Sequence, residues 1–401
     1  MSPSKFPGAY LPPYDMAGWT LPYQMGVKVR TADEPLKVKL EALEKVVPPA
    51  GKVDGAASFG YLISPKTNNS YIAMNRILSK GGEVLWAQES FTAAGKNYPA
   101  GTFIVPAAAA PRSLLDSAAK DLSIDIGATP LQVTAKTYRL KAPKTALYKS
   151  WVASMDEGWT RWMFDNYEVP YTTIHDAEVK AGDLGKNFDV IVIPSNDTES
   201  IVNGNKPGSV PPQYVGGITA AGIRNLREFV EGGGTLITLN WASLFALDKL
   251  GLPVKDALAG LQSRREWSDD STEAQIAKFA CPGSVLRMEF DPKHPIAYGM
   301  PDKGMGMFYE STAFDLLPGF GGKGPIPVAK YAASDVLASG YLTGEKYLEN
   351  KVAAAEVPVG KGRVILLGFG VQNRAQPHAT FKLLFNSLYY GAAARSGPGS
   401  F

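Results

Sequence analysis

Polar side chains capable of binding or catalysis follow directly after apolar runs that predict buried strands. After the runs ALYKSW, NFDVIVIP, TLITL and VILLGF come Ser154, Asp156 and Glu157; Ser195, Asn196 and Asp197; Asn240 and Trp241; and Arg374, Gln376 and His378. Open α/β sheets bind ligands in the crevice beyond the carboxyl ends of their strands. Carboxylates, amides, a guanidinium and an indole suit a sugar or a peptide, so we predict a ligand crevice there. The alternative interpretation is that these polar residues have only a structural role, because strand ends are polar in every such sheet.

Composition narrows the classes of partner and cofactor. The chain carries 41 basic and 38 acidic residues, a net charge of +3 with no basic stripe, so no nucleic-acid partner is expected. A single cysteine, Cys281, excludes an internal disulfide or a Cys-rich metal site. The glycine motifs GGKG (321–324) and GKG (360–362) lack the Walker spacing. We therefore predict no cofactor and no metal.

Membrane and export signals are not visible in the sequence. No run of about 18 apolar residues predicts a membrane span, and the first residues, MSPSKFPGAYLPPYDMAGWT, lack the basic-then-apolar order of a signal peptide. From the residues alone, the localisation stays unknown.

The order of predicted elements indicates an α/β fold. From residue 143 onward, strands and helices alternate over short connections, with continuous apolar runs such as DVIVIP and TLITL. This pattern predicts a doubly wound, mostly parallel sheet covered on both faces. It closes with a hairpin around Gly360-Lys361-Gly362 and a last helix, HATFKLLFNSLYYGA.

Three domains are expected. Residues 1–55, rich in proline and aromatic residues, have no sustained periodicity and read as an extended arm or a linker. Residues 56–142 predict a small α/β domain in the order β-α-β-β-α. Residues 143–395 form the doubly wound domain, with an irregular insertion at about 255–340 where only SVLRMEF and DVLASGYL predict strands.

Several phrases resemble a known bacterial family of secreted zinc carboxypeptidases. They are PYDMAGWTLPYQMGV, NYPAGTFIVP, MDEGWTRWMFDNYEVPYT, FDVIVIPS, HPIAYGMP and VPVGKGRVILLGFGVQNRAQPHATFKLLFNSLYYG. The resemblance covers nearly the whole chain, but only the C-terminal, non-peptidase region of that family, which ends in a class I glutamine amidotransferase-like domain. It implies a module separated from its peptidase domain and a periplasmic or secreted setting.

The resemblance raises the question of zinc chemistry. That peptidase family binds zinc through a His-x-x-Glu pair and a distant second histidine, leaving one position open for water. Here His175 and Glu178 have this spacing, and His294 lies downstream. Because His175 falls at a predicted strand end of the doubly wound domain, we interpret it as a polar residue at a strand-to-loop junction.

The resemblance also implies where an amidotransferase nucleophile would sit. In that fold it occupies a tight turn between a buried strand and the next helix. The corresponding turn here holds Asn240, Trp241, Ala242 and Ser243, without a cysteine and without a glycine that would let the chain turn sharply. His378 is the one candidate for a base. We therefore expect the fold to be kept and the reaction to be lost.

These observations lead to one functional expectation and one rival. The expected function is a non-catalytic accessory or interaction module, a pseudoenzyme whose partners are a peptide or cell-wall ligand, a peptidase domain or subunit, or another copy of itself. The rival is a peptide or amide hydrolase that uses zinc on His175, Glu178 and His294, or a serine nucleophile at Ser243.

Overall fold

The computed structural model describes residues 18–261, 278–309, 311–319 and 323–396. The first described part of the predicted arm contains one short helix, α1 (Leu21–Met25), which ends at the left-handed Gly26. The Gly18 amide donates to the Gly283 carbonyl at 3.0 Å, and the Ala379 amide donates to the Gln24 carbonyl at 3.0 Å. Residues 18–26 are therefore docked on the rest of the chain, whereas residues 27–50 are exposed throughout.

A small sheet with two helices follows the arm. Its elements, together with a separate hairpin of β4 and β5, are β1 (Val53–Asp54), β2 (Gly60–Ile63), α2 (Asn69–Ser79), β3 (Val84–Ala87), β4 (Phe91–Ala93), β5 (Lys96–Tyr98), β6 (Phe103–Pro106), α3 (Arg112–Leu122), β7 (Ile126–Thr129) and β8 (Thr137–Leu140). The strand order is β1-β7-β2-β6-β3-β8, and only β1 and β7 pair in parallel. Strand β1 falls inside the segment predicted as arm, because two residues are too few to show a period.

The rest of the chain builds one large sheet and its helices. The elements are β9 (Thr145–Tyr148), α4 (Met155–Asn166), β10 (Thr172–Ile174), α5 (Asp176–Ala181), α6 (Leu184–Asn187), β11 (Val190–Ile193), α7 (Thr198–Val202), α8 (Thr219–Glu231), β12 (Thr235–Leu239), α9 (Ala242–Lys249), β13 (Val254–Asp256), β14 (Ser284–Phe290), β15 (Lys303–Phe308), β16 (Phe314–Leu316), β17 (Ile326–Tyr331), β18 (Leu337–Ser339), β19 (Val352–Val359), β20 (Gly362–Leu367) and α10 (Phe381–Ser396). The main path runs β10-β9-β11-β12-β20-β19-β17-β14-β15.

The first five strands of this path are parallel and have the flavodoxin-like order 2-1-3-4-5. Alternate residues of each strand point to opposite faces. In β11, Val190 and Val192 join the core that contains α4 and α10, whereas Ile191 and Ile193 join the core that contains α8 and α9. Both faces are covered by helices, so the predicted fold class, a doubly wound and mostly parallel sheet with a smaller α/β sheet, is confirmed.

The region predicted as an irregular insertion extends the sheet instead. The sequence predicts strands there only at β14 and β18, but β13, β15, β16 and β17 also form, all in antiparallel pairs. The glycines in β15 obscure its alternation. At Gly306, a Cβ would come within 2.1 Å of the Met288 sulfur, so that side chain would have to shift. The exact domain boundaries stay predictions.

Helix α10 lies between the two sheets and contacts β8 on one side and β11 and β12 on the other. It is buried on nearly every side from Phe381 to Ala393. The Tyr71 hydroxyl of α2 donates to Asn386 Oδ1 at 2.5 Å, and Asn386 Nδ2 donates to the carbonyls of Ile296 and Tyr298 at 3.0 and 2.9 Å. We call this set of contacts the α10 joint. Across the residues that the structure describes, no helix combines the length and apolar character that crossing a bilayer demands.

Candidate functional site

The turn after β12 is the elbow at which the related fold would carry its nucleophile. Asn240 occupies it with a φ of 51°, in the left-handed region, and helix α9 begins two residues later. The sequence-based expectation that the chain cannot turn sharply without a glycine is therefore wrong. Asparagine adopts this conformation more readily than other side-chain-bearing residues do.

The side chain of Asn240 is buried at the carboxyl edge of the sheet. Its Nδ2 donates to the Tyr309 carbonyl at 2.9 Å and lies 3.4 Å from Ser195 Oγ. Since only the NH₂ group can donate to a carbonyl, these contacts fix the amide orientation, and Oδ1 is left buried without a hydrogen-bond partner. The elbow therefore presents a neutral amide where a nucleophile would be.

Two side chains with nucleophilic chemistry, Ser243 and Cys281, are sequestered. Ser243 is fully buried, and its hydroxyl donates to the Thr238 carbonyl at 3.4 Å and accepts from Thr238 Oγ1 at 3.1 Å. Burial raises the pKa of the Cys281 thiol to about 12, so its nucleophilic thiolate form is suppressed at neutral pH. Neither residue is accessible to a substrate.

Residues after β9 and β11 meet Asn240 at the same edge. Ser154 begins α4: its hydroxyl accepts from the Glu157 amide at 3.3 Å and donates to the Ser195 carbonyl at 2.9 Å. Burial raises the pKa of Asp156 to about 6, while the Ser195 hydroxyl and the Arg374 guanidinium oppose that rise. An acid with this pKa could exchange a proton near neutral pH.

Ser195 links these groups. Its hydroxyl lies 3.4 Å from the Trp241 amide as well as from Asn240 Nδ2. The Arg374 guanidinium lies 5.6 Å from the centre of the Tyr309 ring. The backbone carbonyl of Tyr309 accepts the hydrogen bond from Asn240. We call Asp156, Ser195, Asn240, Trp241 and Arg374, with Tyr309, the edge cluster. Sequence reasoning missed Tyr309, because it follows a glycine-containing strand with no recognisable pattern.

Two amides at this edge have unpaired polar atoms. Asn196 Oδ1 accepts from the Asp197 amide at 3.0 Å, so its orientation is fixed and Nδ2 is left buried without a partner. Gln376 Oε1 is likewise buried and unpaired. Unpaired buried polar groups are uncommon in native proteins, so these two atoms mark a place where a hydrogen-bond partner is missing.

Three of the predicted crevice residues have structural partners elsewhere. Glu157 is paired with Arg161 one turn along α4. Asp197 caps α7, accepting from the Ser200 amide at 2.8 Å and from its hydroxyl at 2.6 Å. The His378 ring stacks on Phe381 at 4.6 Å, and burial lowers the pKa of the imidazole. These three residues are not part of the edge cluster.

The zinc pattern considered for the rival function is not assembled. His175 precedes α5, where Glu178 reaches back to its amide at 2.9 Å and Nδ1 contacts the Lys149 carbonyl at 2.8 Å. His294 Nε2 lies 3.1 Å from Glu356 of β19. Strands β10 and β19 are five positions apart in the sheet, or about 24 Å at the usual strand spacing. Within the described ranges, no three His, Cys, Asp or Glu side chains are arranged to hold a metal ion.

Comparisons with known proteins leave the family open. No family model and no curated protein matches the chain. Among solved structures, a ThuA-like protein from Bacteroides uniformis is 11% identical, with 63% of this chain and 92% of that chain covered at a TM-score of 0.34. A GMP synthase component from Thermoplasma acidophilum is 8% identical, with 63% and 96% covered at 0.39.

A β-galactosidase from Bacillus circulans is also similar, at 10% identity and a TM-score of 0.34, with 64% of this chain and 32% of that chain covered. Such distant likenesses say nothing about activity. The class of protein is defined by the strand order: a doubly wound α/β protein with a flavodoxin-like parallel sheet.

Proposed function

We propose that the chain is a non-catalytic accessory module of a zinc carboxypeptidase-like protein, in which the amidotransferase-like sheet binds a ligand and does not hydrolyse it. The observation that carries this proposal is Asn240 at the elbow, with its amide tied to the Tyr309 carbonyl. A neutral amide held in this way cannot attack a carbonyl carbon, since covalent catalysis needs an activated hydroxyl, thiol, amine or carboxylate.

The link to carboxypeptidases depends on the phrases quoted from the sequence. Those phrases supply many contacts that hold the parts of this chain together. A Cβ at Gly101, in NYPAGTFIVP, would come within 2.4 Å of Tyr298 in HPIAYGMP. The Gln24 carbonyl, in the arm phrase, accepts from the Ala379 amide in the last phrase. A shared architecture of arm, small sheet and large sheet accounts for such a set of phrases.

The ligand we propose is a small neutral molecule rich in hydroxyl or amide groups, such as a cell-wall saccharide or a peptide. Asn196 Nδ2 needs an acceptor and Asn240 Oδ1 needs a donor, and they follow neighbouring strands β11 and β12. Each unpaired buried group costs about 1–3 kcal/mol. A ligand that pairs them after displacing side chains at the mouth of the crevice recovers part of that cost.

The first test combines metal analysis with hydrolysis assays. The purified chain is expected to contain well under one zinc per molecule, and to release nothing from glutamine or from a panel of short peptides with free C-termini. About one zinc per chain with chelator-sensitive cleavage would refute the proposal in favour of the hydrolase.

The second test concerns the crevice. Titration with N,N′-diacetylchitobiose and with Ala-Ala-Ala, followed by calorimetry, should reveal binding that Asn196→Ala weakens at least tenfold. Asn166→Ala removes an exposed amide at the far end of α4 and serves as the matched control. Equal binding by both variants would place the ligand elsewhere.

Amide or peptide hydrolysis remains the second candidate function, and one observation favours it. Asp156 has a pKa of about 6 and lies beside the Ser195 hydroxyl, a pairing compatible with proton transfer. If any cleavage is found without metal, Ser195→Ala and Asp156→Asn should each abolish it.

A further inference from the structure

The exposed part of the arm, residues 27–50, is open to solvent at every position. It is anchored at Gly26, which packs on Ala379, and at Val53, which pairs with Ile126. Between those anchors it presents eight large aliphatic side chains that are 52–81% exposed: Val27, Val29, Leu36, Val38, Leu40, Leu43, Val46 and Val47. We call residues 27–50 the strap.

The second half of the strap has the sequence pattern of an amphipathic helix. Leu36, Leu40, Leu43 and Val47 are spaced by four, three and four residues, which places them on one helical face. Pro35 suits the first turn, and Pro48 and Pro49 end the run. A helix of about 13 residues is marginal in water on its own, which explains why residues 35–47 are without helix in the single chain.

This face is complementary to itself in the antiparallel direction. When Leu40 is set opposite Leu43 of a second copy, Leu36 falls opposite Val47. The same alignment places Lys37 on the same side of the seam as Glu44 of the second copy, twice by symmetry. Unlike charges beside an apolar seam fix the direction and register of paired helices.

The helical face supplies enough aliphatic area for a weak dimer. From their exposed fractions, Leu36, Leu40, Leu43 and Val47 present on the order of 500 Å² per copy. Two straps related by a two-fold axis would therefore bury about 1,000 Å² in an isologous interface, the lower limit for a specific contact.

We propose that the strap folds into a helix over residues 35–47 and pairs antiparallel with the strap of a second copy of this chain. The inference deepens the proposed function, since it names the partner of the arm. It does not depend on whether the edge cluster binds or hydrolyses its ligand.

Sedimentation velocity of the full chain, up to about 100 µM, should show a monomer–dimer equilibrium in the range expected for an interface of this size. Leu40→Asp should raise the dissociation constant at least tenfold. Leu131→Asp is the matched control: Leu131 is 75% exposed and Leu40 is 76% exposed, but Leu131 lies outside the strap. Neither change touches a buried residue, so both variants should unfold like the parent chain.

Exchanging the two charges tests the register of the paired helices, and amide hydrogen exchange tests whether the helix forms. Lys37→Glu should weaken the dimer, and adding Glu44→Lys should restore it. Backbone amides of residues 36–47 should become protected only at dimer-forming concentrations. A chain that stays monomeric, a dimer insensitive to Leu40→Asp, or a dimer without protection in 36–47 would each overturn the inference. A monomer that lacks hydrolase activity would leave the proposed function standing.

Discussion

The edge cluster and the α10 joint both bury polar groups, but they differ in whether those groups have all their hydrogen-bond partners. At the joint, Asn386 is bound on both its oxygen and its nitrogen, to Tyr71 and to two carbonyls. At the edge, Asn240 and Asn196 each have one atom paired and the other unpaired. A fully satisfied buried network specifies a structure, whereas a half-satisfied one costs stability. The difference separates a satisfied contact that maintains the fold from the surface where we propose that a ligand binds.

The largest expected effect is at the joint. Asn386→Ala removes three hydrogen bonds, leaves two carbonyls without their donor and opens a cavity in a fully buried place. We expect a loss of about 4 kcal/mol in the free energy of unfolding, measured by urea denaturation. Asn166→Ala, on the surface, should change it by less than about 0.5 kcal/mol. A loss below about 1 kcal/mol at Asn386 would show that the joint is not a satisfied network.

The next effect is a pH dependence at the edge. The folded state raises the pKa of Asp156 from 3.8 to about 6, so between these values the folded chain binds more protons than the unfolded chain. Stability contributed by this group therefore falls as the pH rises from about 4 to about 6. Asp156→Asn should remove that dependence and stabilise the chain at pH 7 by on the order of 1–3 kcal/mol.

The measurement is the free energy of unfolding of both chains at pH 5 and pH 7.5. Taking the difference between the chains cancels the titration of all other groups. A parent chain that gains stability relative to Asp156→Asn over this interval would contradict the assignment.

A smaller effect is expected at the elbow. Asn240→Gly loses the hydrogen bond to Tyr309 but also removes the unpaired Oδ1, and glycine accepts the positive φ. The two consequences oppose each other, so the net change should be under about 1 kcal/mol. Asn240→Ala should be less stable than Asn240→Gly, because it adds about 1–2 kcal/mol of left-handed strain. If Asn240→Ala were more stable than Asn240→Gly, the left-handed backbone at this turn would not be what favours Asn or Gly at position 240.

The smallest expected effect is the reaction of the Cys281 thiol with a labelling reagent. Cys281 is buried with a pKa of about 12, so a thiol reagent should label the native chain negligibly at pH 8 and fully in urea. Rapid native labelling would place this residue in an accessible site.

The sequence predicts most of the parallel half of the fold. Runs such as Val190–Ile193 are unbroken and β-branched, which is typical of a strand covered on both faces. Strands β15 and β16 could not be predicted in this way. The first contains glycines and the second has only three residues, so both form because they pair with strands distant in the sequence, and no local pattern predicts such pairing. Because parallel strands share one edge, the strand ends also predict that Asp156, Ser195 and Asn240 lie near one another.

The detail of the site could not be predicted in the same way. That Tyr309 joins Asn240, and that Arg374 lies over the Tyr309 ring, depends on side-chain directions set by tertiary packing. The positive φ of Asn240 is also a tertiary result: the residue tolerates it, and the strand and helix on either side impose it.

The position of α10 between the two sheets has a consequence for synthesis. The strands that rest on it, β8, β11 and β12, are all translated before Phe381 leaves the ribosome. Until then, each sheet exposes the apolar face that α10 will cover. The nascent chain therefore carries two unburied surfaces through most of its elongation, which is the state that holding chaperones recognise.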